Sequence, residues 1–102
     1  MSTPRNAVII DPADTVAVSI QELRAGDMAC ATLPDGTTEQ ISITTDVPLF
    51  HKFARRPMAE GEAVVKYGAY IATATEPIAR GAWVHVHNAA SSDAQKQEAD
   101  RG

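Results

Sequence analysis

Apolar residues in this chain recur at every second position rather than every 3.6. Val16, Val18 and Ile20 alternate with Thr15, Ala17 and Ser19, and Ile41 and Ile43 alternate with Ser42 and Thr44. Val84 and Val86 alternate with Trp83, His85 and His87. Side chains two apart on a strand share a face, so this period describes strands with one buried side. Turn signals cut every run short: Ala25-Gly26-Asp27, Pro34-Asp35-Gly36, Glu60-Gly61-Glu62 and Arg80-Gly81. Residues 21–25 leave room for one helical turn at most. The pattern predicts a single small all-β domain of short strands.

A local echo supports that reading. Residues 57–64 run Pro-Met-Ala-Glu-Gly-Glu-Ala-Val and residues 77–84 run Pro-Ile-Ala-Arg-Gly-Ala-Trp-Val. Pro, an apolar residue, Ala, Gly and Val recur in place, as in a turn that closes on Gly and feeds a strand. Two copies are too few for a solenoid and fit a pair of similar units in one β-domain.

The chain has 102 residues, of which 2 are Phe, 1 is Trp and 2 are Tyr, so the core must be built from Val, Ile, Leu and Ala. A domain this size buries only about two-thirds of its unfolded surface. The domain is expected over residues 7–88. Residues 1–6 are expected to fray, and residues 89–102, with no large apolar side chain, to form a flexible tail. The single Cys30 excludes an internal disulfide and a cysteine-based zinc cluster, and reads as a small buried residue. No apolar run approaches the ~20 residues of a membrane span, and no charged-then-apolar leader opens the chain. A cytoplasmic protein with no membrane partner is expected. The net charge of −4 argues against nucleic acid.

The chemistry-bearing residues gather late in the sequence. His51 precedes Lys52 and Phe53, and Trp83-Val84-His85-Val86-His87-Asn88 holds the other two histidines. If the strand runs through residue 87, Val84 and Val86 face the core and His85 and His87 stand on the other face. Their Cβ atoms are then roughly 6–7 Å apart. Two such imidazoles can share a metal ion, or act as a base and an orienting group. Asn88 adds an amide beside them. Equally, a solvated strand end can carry such polar residues with no function.

Residues 50–88 hold Lys52, Arg55, Arg56, Lys66 and Arg80 against Glu60, Glu62 and Glu76, a local charge of +2 in a chain of net −4. A small anionic substrate would be drawn there. Arg55 and Arg56 read as solvating the loop before Pro57. Lys52 and Lys66 are the better anion ligands, with Tyr67 and Gly68 offering a phenol and an open backbone. A strand end entering a turn explains Lys66-Tyr67-Gly68 as well.

Taken in order, His51-Lys52-Phe53-Ala54, Gly61 through Gly68, Ile71 through Thr75, and Gly81-Ala82-Trp83-Val84-His85-Val86-His87-Asn88 resemble the small SAF-type domain of the altronate/galactarate dehydratase family. That resemblance covers about residues 7–88. The family also includes a two-subunit sulfolactate sulfo-lyase whose small subunit is this domain as a separate chain. The resemblance implies a β-clip fold and a lyase small subunit that works with a larger catalytic subunit. The reaction implied is loss of water or sulfite from C3 of a small 2-hydroxy acid, with a divalent metal, Fe²⁺, held mainly by the partner. His51, His85 and His87 would be catalytic, and Lys52, Lys66, Tyr67 and Asn88 would bind substrate. Metal ligands are unassigned, with His85 and His87 the candidates. Phe50 and Ala72 stand where the family usually has Gly. A homo-oligomer stays open. The competing reading is a non-catalytic β-clip module that binds a sugar acid or a partner protein.

Overall fold

Short runs between glycine turns give short strands. The computed structural model describes residues 5–91, with nine strands and no helix among them. They are β1 (Ala7–Val8), β2 (Val16–Ser19), β3 (Met28–Thr32), β4 (Thr38–Ser42), β5 (Lys52–Ala54), β6 (Ala63–Lys66), β7 (Ala69–Ala74), β8 (Trp83–Val84) and β9 (Ala89–Ser91). A six-stranded sheet runs β4-β3-β1-β2-β5-β8, and a three-stranded sheet runs β6-β7-β9. Every pairing is antiparallel except β1 with β3. The all-β expectation holds, and residues 21–25 carry an isolated bridge at Leu23 instead of a helical turn.

The domain limits differ from those read in the sequence. Ala89–Ser91 pair with β7, and Ala89 is buried, so the structured region passes residue 88. At the other end Asn6 is buried and its side chain accepts from the Cys30 amide at 2.7 Å. The remainder of the expected tail, residues 92–102, and residues 1–4 lie outside the described residues.

Two apolar clusters fill the interior. One gathers Ile9, Leu23, Ile41, Ile43, Val47 and Phe53 with the small alanines of β1 and β3. The other gathers Val16, Met58, Val64, Ala74, Ile78 and Val84. β2 lies between them: Val16 enters the second cluster and Ala17 the first. That double burial explains why simple alternation fails over residues 16–20, where Ser19 is buried and Ile20, just past β2, is exposed. Ser19 is satisfied there, donating from Oγ to the carbonyl of Pro48 at 2.7 Å.

The echoed segments prove to be half of a fourfold device. Met58 and Ile78 form a reciprocal bridge, each amide donating to the other's carbonyl at 2.8 Å. Leu23 and Val47 form a second bridge of the same kind. Three residues after each bridge residue the backbone turns left-handed, at Gly26, Phe50, Gly61 and Gly81. Five residues after each bridge residue a strand begins: β3, β5, β6 and β8. Three of the four units have glycine at the turn, where positive φ is free of steric cost. The fourth has Phe50, with φ 64°, so its signature does not show in the sequence.

Phe50 is 70% exposed, so packing does little to hold it in that conformation. A non-glycine residue there costs about 1–2 kcal/mol. Phe50→Gly is therefore expected to be neutral or stabilising by up to ~1 kcal/mol, since relief of strain outweighs the added freedom of the unfolded chain. Phe50→Val, β-branched at the same φ, is expected to be less stable than the wild type. Thermal melts of the two variants check this, and a destabilised Phe50→Gly would contradict it.

Candidate functional site

β5 and β8 set the site by register. Lys52 pairs with Val84 and Phe53 with Trp83. Continuing the same antiparallel ladder places His51 opposite His85, with Trp83 diagonal to His51. The rings follow: His51 and His85 centroids are 5.1 Å apart, and His51 and Trp83 are 5.5 Å apart. His85 stacks on the indole at 5.1 Å with planes 9° apart, and His87 lies against it at 5.2 Å, tilted 44°. All three histidines thus surround Trp83. The sequence placed Trp83 beside the histidines without giving it a role. It is the chain's only tryptophan and stands two residues before His85.

The pair of histidines is not arranged as a continuous strand would arrange it. β8 ends at Val84, and residues 85–88 turn, with the His85 carbonyl accepting from the amides of Asn88 and Ala89. Val86, expected in the core, is 81% exposed at the tip. The turn, not strand alternation, folds His87 back over the indole. Asn88 builds it: its Oδ1 accepts from the His85 amide at 3.0 Å and its Nδ2 donates to the Trp83 carbonyl at 2.8 Å. Asn88 is buried, its amide committed to the backbone that carries the histidines.

His51 is held from the opposite side. Its amide donates to Pro48, and its carbonyl accepts from both the amide and the hydroxyl of buried Ser19. The indole Nε1–H of Trp83 donates to His51 Nδ1 at 3.1 Å.

The cations sort into two groups. Arg55 is not a loop solvator: it grips Glu39 with Nε and Nη2, and donates from Nη1 to the carbonyls of Pro12 and Asp14. Arg80 also pairs with Glu39, at 3.6 Å, and donates to the carbonyls of Gln40 and Arg55. These two arginines tie strands together. Lys52 follows His51 and opens β5, near enough for its charge to act on His85. Burial lowers the Lys52 titration from its usual range, and the charge of Lys66 lowers it further. Lys66 ends β6, its ammonium 5.0 Å from the ring centre of Tyr67. Tyr67 and Gly68 both have positive φ and form the two-residue turn between β6 and β7. Buried Asp14 accepts from the Gly68 amide at 2.9 Å and fixes this turn. Tyr67 itself is exposed at the tip.

His85 titrates below the ordinary histidine range because it is partly desolvated, with His51, Lys52 and His87 adding repulsion. At neutral pH it is an uncharged imidazole able to accept a proton. Among the described residues no three His, Cys, Asp or Glu side chains converge as a metal site. Two surface grooves, of about 280 and 270 Å³, are lined by Pro12, Glu39, Arg55 and Arg56 and by residues around Ile10 and Leu33. Neither includes a residue of the cluster, in which His51, Trp83 and His85 are half-buried and His87 is exposed.

An ammonium that burial and a second lysine both disfavour opposes folding. Lys52→Met is expected to raise the melting temperature at pH 7. The gain should shrink as pH rises toward the ordinary lysine range. There the wild-type ammonium deprotonates in the folded state before the unfolded, so wild-type stability climbs. Melts at pH 7 and pH 10 check both parts.

A sequence model of the altronate/galactarate dehydratase SAF domain matches residues 5–92. The chain belongs to that family. The α subunit of (2R)-sulfolactate sulfo-lyase from Chromohalobacter salexigens is 37% identical over 83 residues, covering 79% of this chain and 88% of that one. Altronate dehydratase from Escherichia coli K12 is 36% identical over 75 residues, covering 74% of this chain but 14% of the enzyme. The Bacillus subtilis altronate dehydratase is 27% identical over 84 residues, 16% of its length. This SAF domain thus spans most of the sulfo-lyase subunit and a small part of each dehydratase. No helix among the described residues is long and apolar enough to cross a membrane.

Proposed function

We propose that this chain is the small subunit of a two-subunit lyase that removes water or sulfite from C3 of a small 2-hydroxy acid and yields a 2-keto acid. The observation that carries the reading is the convergence of His51, His85 and His87 on Trp83, beside the half-buried Lys52. A neutral imidazole at His85 and a desolvated ammonium at Lys52 suit proton abstraction next to a carboxylate. His85 takes the C2 proton, and the electron pair left on C2 forms the C2=C3 bond. The group on C3 departs with its bonding pair, as sulfite, or as hydroxide that is protonated to water. The resulting enol ketonises to the 2-keto acid. Lys52 and Lys66 hold the carboxylate and oppose the charge that grows on it.

The larger chain is part of the proposal for three reasons. His87 is exposed and His51 and His85 are only half-buried, whereas such elimination needs a water-poor site. Phe50 and Val86, both strongly exposed, stand next to His51 and between His85 and His87, as an apolar rim that another chain would cover. The relative of similar length is named as a subunit, and in the dehydratases the matching region is a small fraction of a long chain. The divalent metal, Fe²⁺ in this reading, would then be held mainly by the partner.

The test is co-purification of the tagged chain from its native lysate with Fe²⁺ present. The eluate is assayed for 2-keto acid release from galactarate, altronate and sulfolactate. A larger chain that co-purifies with activity on one of them is the expected result and names the leaving group. A folded chain with neither partner nor activity overturns the proposal in favour of a binding module.

A further inference from the structure

The hydrogen bond from Trp83 Nε1–H to His51 Nδ1 constrains more than position. Indole nitrogen is a donor only. At 3.1 Å it faces Nδ1, so that nitrogen must present its lone pair. A neutral His51 then carries its proton on Nε2. We infer that Trp83 is a positioning residue that locks His51 in the Nε2–H tautomer, so that His51 meets an anionic oxygen of the substrate as a hydrogen-bond donor and does not serve as a metal ligand. Nδ1 is occupied by the indole. Binding a metal through Nε2 would move the proton to Nδ1, where it would oppose the indole N–H.

The surroundings hold this arrangement. The His51 backbone is fixed by Pro48 and Ser19, which limits the ring to rotation about its own side-chain bonds. Trp83 is fixed by its pairing with Phe53, by the Thr45 hydroxyl accepting from its amide at 2.9 Å, and by Asn88 on its carbonyl. His85 stacks on the same indole without an equivalent hydrogen bond to it among the described contacts, and the proton-accepting role falls to it. The two imidazoles therefore divide the work: His51 donates and His85 accepts. The identity of the acceptor on the substrate rests on the proposed lyase reading; the tautomer does not.

The decisive measurement is a long-range proton–nitrogen correlation spectrum of the full chain labelled with ring-¹⁵N histidine, at a pH where the imidazoles are neutral. His51 signals are assigned by their loss in His51→Gln. The expected wild-type spectrum has His51 as a single Nε2–H tautomer, with Nδ1 in the unprotonated range. In Trp83→Phe, which keeps a ring and deletes the donor, His51 is expected to become a mixture of tautomers. The assembled lyase carrying that variant is expected to lose about tenfold in kcat, the worth of one such hydrogen bond. A wild-type His51 found as Nδ1–H or as a mixture overturns the inference, even if Trp83→Phe fails to fold. An unchanged His51 pattern in a folded Trp83→Phe overturns it too. The spectrum is read on the chain without substrate, so a complex with no lyase activity would defeat the proposed function while an Nε2–H spectrum upheld the tautomer.

Discussion

Gly81→Ala is expected to cost this domain a large share of its stability. A Cβ at Gly81 would lie 1.9 Å from the carbonyl oxygen of Ser42 and 2.9 Å from its carbon, both backbone atoms that cannot rotate away. The same backbone is held by two hydrogen bonds, Gly81 N to the Ala54 carbonyl and Thr44 N to the Gly81 carbonyl. Making room would separate the end of β4 from the turn that starts β8. The left-handed φ of 86° adds ~1–2 kcal/mol for any side chain, and overpacking adds roughly 1–3 kcal/mol more. Against a total stability of about 5–15 kcal/mol for a domain of this size, that is a large share. At ~4–8 °C per kcal/mol the melting point should fall by tens of degrees. Gly61→Ala is the control: it occupies the same place in its own unit, with φ 88°, and nothing lies within 4 Å of its Cβ. It should bear the dihedral cost alone. Equal losses in the two variants would show that the approach of Ser42 to Gly81 is not as described.

His85→Asn is expected to lower turnover of the assembled lyase by roughly 10²–10⁴-fold, the usual contribution of a positioned acid–base group, while the domain stays folded. Folding is spared because the bonds that shape the 85–88 turn are made by the backbone of residue 85 and the side chain of Asn88. His87→Asn should also reduce turnover, through the third face of the Trp83 cluster. A pH profile distinguishes a base from a structural residue. His85 is displaced below the ordinary histidine range by desolvation and by its cationic neighbours. Activity should therefore persist through the pH at which a free imidazole protonates and fall only below it, and this acid limb should vanish in His85→Asn. Near-wild-type turnover in both histidine variants would remove the histidines from the chemistry.

Much of this architecture could be read in the chain because its signals are local. Alternation at residues 41–43 gave a strand edge with Ile41 and Ile43 inward, and the recurring Pro-apolar-Ala-x-Gly units gave two of the turns. The unit at Val47–Phe50 escaped because its left-handed residue is not glycine. Sequence reveals such a turn only through the residue that tolerates it cheaply. The strand expected through residue 87 stopped at 84 because Asn88 captures the His85 amide, a bond that alternation of side chains does not report.

The amino-acid sequence alone determined the all-β class, the presence of three histidines among cations, and the membership of a family whose motifs it carries in order. These rest on residue type and on spacings of a few positions. The tertiary structure alone decided which of those residues meet. His51 and His85 are brought opposite each other by the antiparallel register of β5 and β8, residues far apart in the chain. It also assigned Arg55 and Arg80 to Glu39 and set Lys52 near the charge of Lys66. Charge and ring chemistry are properties of a side chain, but partnership depends on pairing across sheets, which no local pattern encodes.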